Sequence, residues 1–272
     1  MRNLVSTKAP FWFVIVFLLP PVATSVYARA QSTRTLTPVQ TEIEKQRERL
    51  TATDVEERRD ALMKLENLHV AEASRAAVAA LTDGSPIVRA TAAKAVVSLD
   101  PSESVPALLP LLKDRDEFVR REAAYALGRT RSRSATAALS ELLLTDKEDG
   151  VRGAAAVALG DIADEAAVIS LVGTLAPELS SREKGKRKRE QNVFVLRAAA
   201  VALGKIKSRA GTAALISVLG NEKLDSDVRR EAARALGLIG DPSAASALRS
   251  VSTSSDPYLS QMAHEALRKL GQ

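Results

Sequence analysis

VRREAAYALG (residues 119–128) and VRREAARALG (228–237) differ at one position in ten. Each puts apolar or small residues at its first, fifth, sixth, eighth and ninth positions, the stripe of a helix and not the alternation of a strand. One helix written twice points to a repeated unit, so the chain is aligned on the Val that opens the motif. Equivalent positions are Val55, Val88, Val119, Val151, Val195, Val228 and Leu259, with spacings of 33, 31, 32, 44, 33 and 31 residues. The one long interval contains a basic cluster.

A second apolar helix precedes each anchor, as in SVPALLPLL (104–112) and TAALSELLL (136–144). Asp83, Asp114 and Asp146 sit five residues ahead of their anchors, where a carboxylate is expected to cap the second helix and meet its positive end. Gly240-Asp241-Pro242 and Asp100-Pro101 close units and restart the chain. A single helix pair cannot bury its stripe, but stacked pairs share one continuous core. The expected fold is all-α: a right-handed α-solenoid, or superhelix, of about seven antiparallel helix pairs over 38–272, with an insertion at 180–192. In the first unit Arg59 takes an alanine's place, as expected of a cap.

Residues 1–30 read differently. Arg2 and Lys8 precede the apolar run FWFVIVFLL (11–19), Pro20 and Pro21 end it, and Ala28-Arg29-Ala30 has the small-x-small pattern of a signal-peptidase site. The expectation is an exported chain, periplasmic or extracellular, with 31–37 as a linker. Without cysteine it has neither disulfides nor a lipid-anchored Cys. Removing Arg2, Lys8 and Arg29 takes the formal charge from +6 to +3. Arg182, Lys184, Lys186, Arg187, Lys188 and Arg189, against Glu183 and Glu190, carry a net +4, which leaves the rest of the mature chain at about −1. The basic character is therefore local. Two readings of this cluster are open: a solvated loop, or an anion-binding arm for an acidic protein, a polyanion or an anionic membrane surface.

The recurring VR.EAA.ALG.I.D pattern resembles HEAT repeats, in particular the HEAT-like repeats of phycobilisome lyases, well over 70–272 and more weakly over 38–68. The resemblance implies that Arg89, Arg120, Arg152 and Arg229 join the turn aspartates in a ladder between repeats. It also brings an enzyme alternative: a bilin lyase, or an oxidoreductase like the di-iron deoxyhypusine hydroxylase. In that enzyme His-Glu pairs stand two and three residues after the anchor, where this chain has Arg121-Glu122 and Arg230-Glu231. His264-Glu265 lies on another helical face, and His69 stands alone. No nucleophile elbow or phosphate-binding glycine loop occurs. No cofactor or metal is expected, and the few aromatics argue against nucleic acid.

A surface remains. The second helices of such a stack line its concave side, with exposed positions expected two, three and six residues after each anchor. Those positions give Arg121, Glu122 and Tyr125; Gly153, Ala154 and Val157; Arg197, Ala198 and Val201; Arg230, Glu231 and Arg234. Tyr125, Val157 and Val201 thus form an apolar line flanked by arginines, the composition of a groove for a protein or peptide partner, acidic in preference. The reading is a non-catalytic exported scaffold. Secreted protein is expected to start at Gln31 on N-terminal sequencing. Membrane-embedded protein that keeps residues 11–19 contradicts export.

Overall fold

A computed structural model describes residues 36–175 and 192–272. The signal segment, residues 31–35 of the linker and the cluster Arg182, Lys184, Lys186, Arg187, Lys188 and Arg189 lie outside the described residues. The first helix starts where expected, with Thr37 and Gln40 forming a reciprocal capping box and Pro38 in its first turn.

Seven helix pairs follow one another, with no strand among the described residues. They are α1 (Pro38–Arg49) with α2 (Val55–Asn67), α3 (Ala71–Ala77) with α4 (Pro86–Ala95), and α5 (Pro101–Leu108) with α6 (Glu117–Thr130). Then come α7 (Thr136–Thr145) with α8 (Asp149–Ile162), α9 (Val168–Leu175) with α10 (Val193–Ile206), α11 (Thr212–Gly220) with α12 (Ser226–Ile239), and α13 (Ala245–Val251) with α14 (Pro257–Lys269). Each second helix packs on the next, α2 on α4 through to α12 on α14. The first helices α7, α9, α11 and α13 do likewise.

The ALG of the opening motif explains how closely the units stack. A Cβ added to Gly128 would lie 2.7 Å from the Ala158 Cα, and one on Gly160 2.8 Å from the Ala202 Cα. For Gly204 the distance is 3.0 Å to the Ala235 Cα, and for Gly237 2.8 Å to the Ala266 Cα. Each glycine, nine residues after its anchor, therefore seats the alanine seven residues after the next. Val97 takes the glycine's place in the second unit, and there the helix stops at Ala95, one turn early. A branched side chain has no room at that contact.

The first unit corrects the alignment. Its anchor is Glu57, not Val55, so its spacing to Val88 is 31 like the next. Ala61, Leu62 and Leu65, all at most 1% exposed, then occupy the sites of Ala92, Ala93 and Val96. In this register the residue four after the anchor is a fully buried alanine in all seven units, Ala61 to Ala263. Arg59 therefore takes no alanine's place. Backbone geometry agrees: His69, Arg131, Ala163, Lys207, Gly240 and Gly271 all have positive φ, and all lie twelve residues after an anchor. Two are glycine, the residue this left-handed helix end favours.

The turn aspartates also behave differently from expectation. The residue at the N-cap lies three before the anchor, as with Asp116, whose carboxylate accepts from the Phe118 and Val119 N–H groups. Asp114 instead accepts from the Asp116 N–H, and Asp83 and Asp146 accept likewise from Ser85 and Glu148. They shape the turn, and the N-cap residue two further on caps with its side chain at Asp116 but not at Ser85 or Glu148.

Gly160→Leu should cost about 1–3 kcal/mol by overpacking, and Leu127→Ala or Leu236→Ala about 2–5 kcal/mol by leaving a cavity. Lys207→Gly should stabilise by roughly 0.5–1 kcal/mol, because it relieves the left-handed backbone. Chemical denaturation of each variant measures all three.

Candidate functional site

Arginine and aspartate join the units along the inter-helix turns. Arg58 donates to Asp83 at 2.8 and 2.9 Å, Arg89 to Asp114 at 2.7 and 2.9 Å, and Arg120 to Asp146 at 2.7 and 3.1 Å. The other face of each guanidinium closes its own turn, as where Arg89 Nη1 donates to the Asp83 and Gly84 carbonyls. Bidentate geometry offsets the cost of burying these charges. The ladder expected at Arg229 takes another form, since its Nε donates to the Leu219 carbonyl. Arg152 donates to the Leu143 carbonyl and to Asp149 at 2.9 Å, and the turn five residues before Val195 lies outside the described residues. Arg230 makes the step to the last unit, at 3.0 Å to both oxygens of Asp256.

The second-helix face carries the residues singled out from the sequence. Tyr125, Val157 and Val201 are half-buried on α6, α8 and α10, and the first two pack on the core edge. Burial raises the Tyr125 phenol above its ordinary pKa, so its hydroxyl stays a neutral donor. Positions three after the anchor do not belong to the surface in the middle units. Glu122, Ala154 and Ala198 are buried, and Glu122 is tied to Lys94 at 3.2 Å and to Arg121 at 3.6 Å. Arg234 is exposed and pairs with Glu231 at 2.7 Å. Arg230 is engaged by Asp256 and Asp227. Arg197 is exposed and has no ion-pair partner among the described residues.

Sequence reasoning missed the residue immediately before each anchor. Phe118 lies under Arg121, whose guanidinium carbon is 4.8 Å from the ring centroid. Tyr258 lies under Arg230 at 5.1 Å. Phe194, 42% exposed, covers Gly153. The signal was present as an aromatic at one repeat offset, but that position reads as the edge of the buried stripe until the helices are stacked.

A separate groove of about 890 Å³ opens on the first-helix side, between the Pro106–Lys113 segment and α7. In the second and third units the first helix ends in a 3₁₀ turn, whereas in the fourth to seventh it begins with one. The groove lies where this phase changes. Its walls are Pro106, Leu109, Ala138 and Leu142, and Arg120 and Asp146, which bond to each other, reach it.

Among the described residues no group of three His, Cys, Asp or Glu side chains is placed to hold a metal. His69 is a helix-end residue, and His264 Nδ1 lies 2.8 Å from the Ser260 carbonyl oxygen.

The model of the family described as HEAT repeats matches residues 43–128, 74–160, 105–181 and 188–271. The chain is a HEAT-repeat protein. Its solved neighbours include the complex of CpcE and CpcF of phycocyanin lyase from Nostoc sp. PCC7120, 26% identical, with 89% of each chain covered and a TM-score of 0.50. An engineered protein is 26% identical, with 85% of this chain and 68% of that one covered and a TM-score of 0.56. YibA of Escherichia coli, at 19% identity, 86% and 82% coverage and a TM-score of 0.58, shares the fold alone. No curated protein matches this HEAT-repeat protein by sequence.

The ladder makes stability depend on pH. Hydrogen bonding from Arg89 holds the Asp114 carboxyl below its ordinary range, and Arg230 does the same for Asp256. A carboxylate whose folded pKa lies below its unfolded value of about 3.9 stabilises fully above that pH. The contribution is lost as pH falls through the folded pKa. The melting midpoint should therefore hold from pH 7 to about 5 and drop below about 4. Asp114→Ala should lower the midpoint at pH 7, with a stability loss on the order of 3 kcal/mol, and should flatten part of the acid limb. Thermal melts across pH test both.

Proposed function

We propose that this HEAT-repeat protein is an exported, non-catalytic scaffold that holds a segment of a partner protein along its second-helix face. The observation that carries the reading is the line of Tyr125, Val157 and Val201. Three half-buried apolar side chains hold the same offset on successive helices, where solvent-facing charge is the ordinary choice. Phe194 extends the apolar area, and Arg121 and Arg197 stand beside it. A fixed ring with a hydroxyl and flanking guanidinium groups is the composition of binding hot spots. The Nostoc neighbour, a complex of CpcE with CpcF, supports association as a use of this fold. The signal-like N-terminal segment supports export.

Partner retained by the immobilised protein should fall for Tyr125→Ala by about 1–3 kcal/mol in affinity, with little change in melting. Arg234→Ala, at the rim, should act mainly on association rate and its salt dependence. Ile169→Glu, on an exposed side chain of α9, is the control. Equal loss from the control, or destabilisation by Tyr125→Ala without selective loss of partner, contradicts the reading.

A further inference from the structure

We infer that the recognition edge of this face is the row formed by the residues one before and two after each anchor, and that it takes an extended, carboxylate-rich segment of a partner protein. The inference rests on the reading of the second-helix face as the binding face and names the chemistry of what it binds. On α6 the row presents Phe118 and Arg121, stacked at 4.8 Å. On α8 both positions are glycine. A Cβ on Gly150 would find Arg121 Cδ at 3.9 Å, and one on Gly153 would fall 2.0 Å from the Phe194 ring. On α10 the row presents Phe194 and the unpaired Arg197. It ends at Arg230 over Tyr258, which is 63% exposed. At these two offsets α8 raises no side chain of its own between Arg121 on one side and Phe194 with Arg197 on the other.

Charge decides the occupant. Of the described acids beside the row, Glu122 is matched by Lys94 and Arg121, Asp149 by Arg152, Asp227 by Arg230 and Glu231 by Arg234, and only Glu117, exposed beside Phe118, is in no ion pair among the described residues. Arg197 has no such match, and Lys94 and Arg121 share a single carboxylate, so the middle of the row carries excess positive charge. A guanidinium stacked on a ring keeps its in-plane N–H donors free for a carboxylate, and the ring fixes its orientation. The geometry also sets a period. Packed helices stand about 8–10 Å apart and an extended chain advances about 3.3 Å per residue, so one repeat spans roughly three residues of ligand. Because α8 offers no cation at these offsets, carboxylates about six residues apart, on one face of an extended strand, meet Arg121 and Arg197, while the residues between them lie on Phe194, Val157 and Val201.

The test uses two labelled dodecapeptides, Glu-Leu-Ser repeated four times and Gln-Leu-Ser repeated four times, with fluorescence anisotropy on the full chain. The Glu peptide should bind at least tenfold more tightly at low salt, and the difference should shrink as salt rises. The double variant Arg121→Gln/Arg197→Gln should lose at least fivefold for the Glu peptide with an unchanged melting midpoint. Arg75→Gln, in an exposed pair with Glu103 away from this face, should lose nothing. Equal affinity for the two peptides, no binding of either, or full retention by the double variant overturns the inference. So does binding that survives the double variant but disappears when 182–190 is deleted, which assigns the anion preference to the basic cluster. Peptide results of this kind leave the Tyr125 partner assay untouched, so failure of the chemistry is separable from failure of the face.

Discussion

Successive second helices of this protein approach until the backbone of one lies where the side chain of the other would normally stand. Gly128 on Ala158, Gly160 on Ala202, Gly204 on Ala235 and Gly237 on Ala266 are one contact made four times. The contact is short-range and steric, so it admits no larger residue without displacing a helix. It also explains the buried alanine four after every anchor, because helices held this close leave no volume for a longer chain. Stability is then distributed among many similar neighbour contacts, as expected of a quasi-one-dimensional fold.

The same constraint decides where polar chemistry goes. An interior filled by Ala, Leu and Gly has no room for a charged group, so arginine and aspartate collect in the turns. There Arg58, Arg89 and Arg120 reach the next unit's aspartate and their own turn carbonyls at once. The ladder lapses at the fifth unit, where Leu196 holds the arginine's position. Between α8 and α10, Phe194 over Gly153 and Gly160 on Ala202 make the contact by shape, beside the Lys205–Asp161 ion pair at 2.7 Å. The residue that secures the junction is thus also one of the exposed rings on the proposed binding edge.

This double use bears on how the face was read. The offset six after the anchor was legible, because Tyr125, Val157 and Val201 break a pattern that the sequence itself establishes. The offset three after it was misjudged, since a helical wheel does not know how near the next helix stands, and that nearness buries Glu122, Ala154 and Ala198. Arg121, Arg197 and Arg230 look alike in sequence, yet one stacks on a ring, one is unpaired and one is bonded to two aspartates. Which guanidinium is available depends on the neighbouring unit's turn, about thirty residues away along the chain.

The sequence by itself determined the helix-pair unit, its period, the number of units and the family, because each follows from a local pattern repeated in register. It misplaced the first anchor, since Val55 looks more like an anchor than the exposed Glu57 that occupies the site at the end of the stack, where the pattern loses one of its two neighbours. The left-handed helix ends at His69, Arg131, Ala163 and Lys207 carried no glycine to announce them. The role of the ALG glycine, the ring over Gly153 and the division of arginines between ladder and surface were decided only by tertiary structure. They are contacts between units, and their physical cause is the distance between two helices, which no single helix encodes.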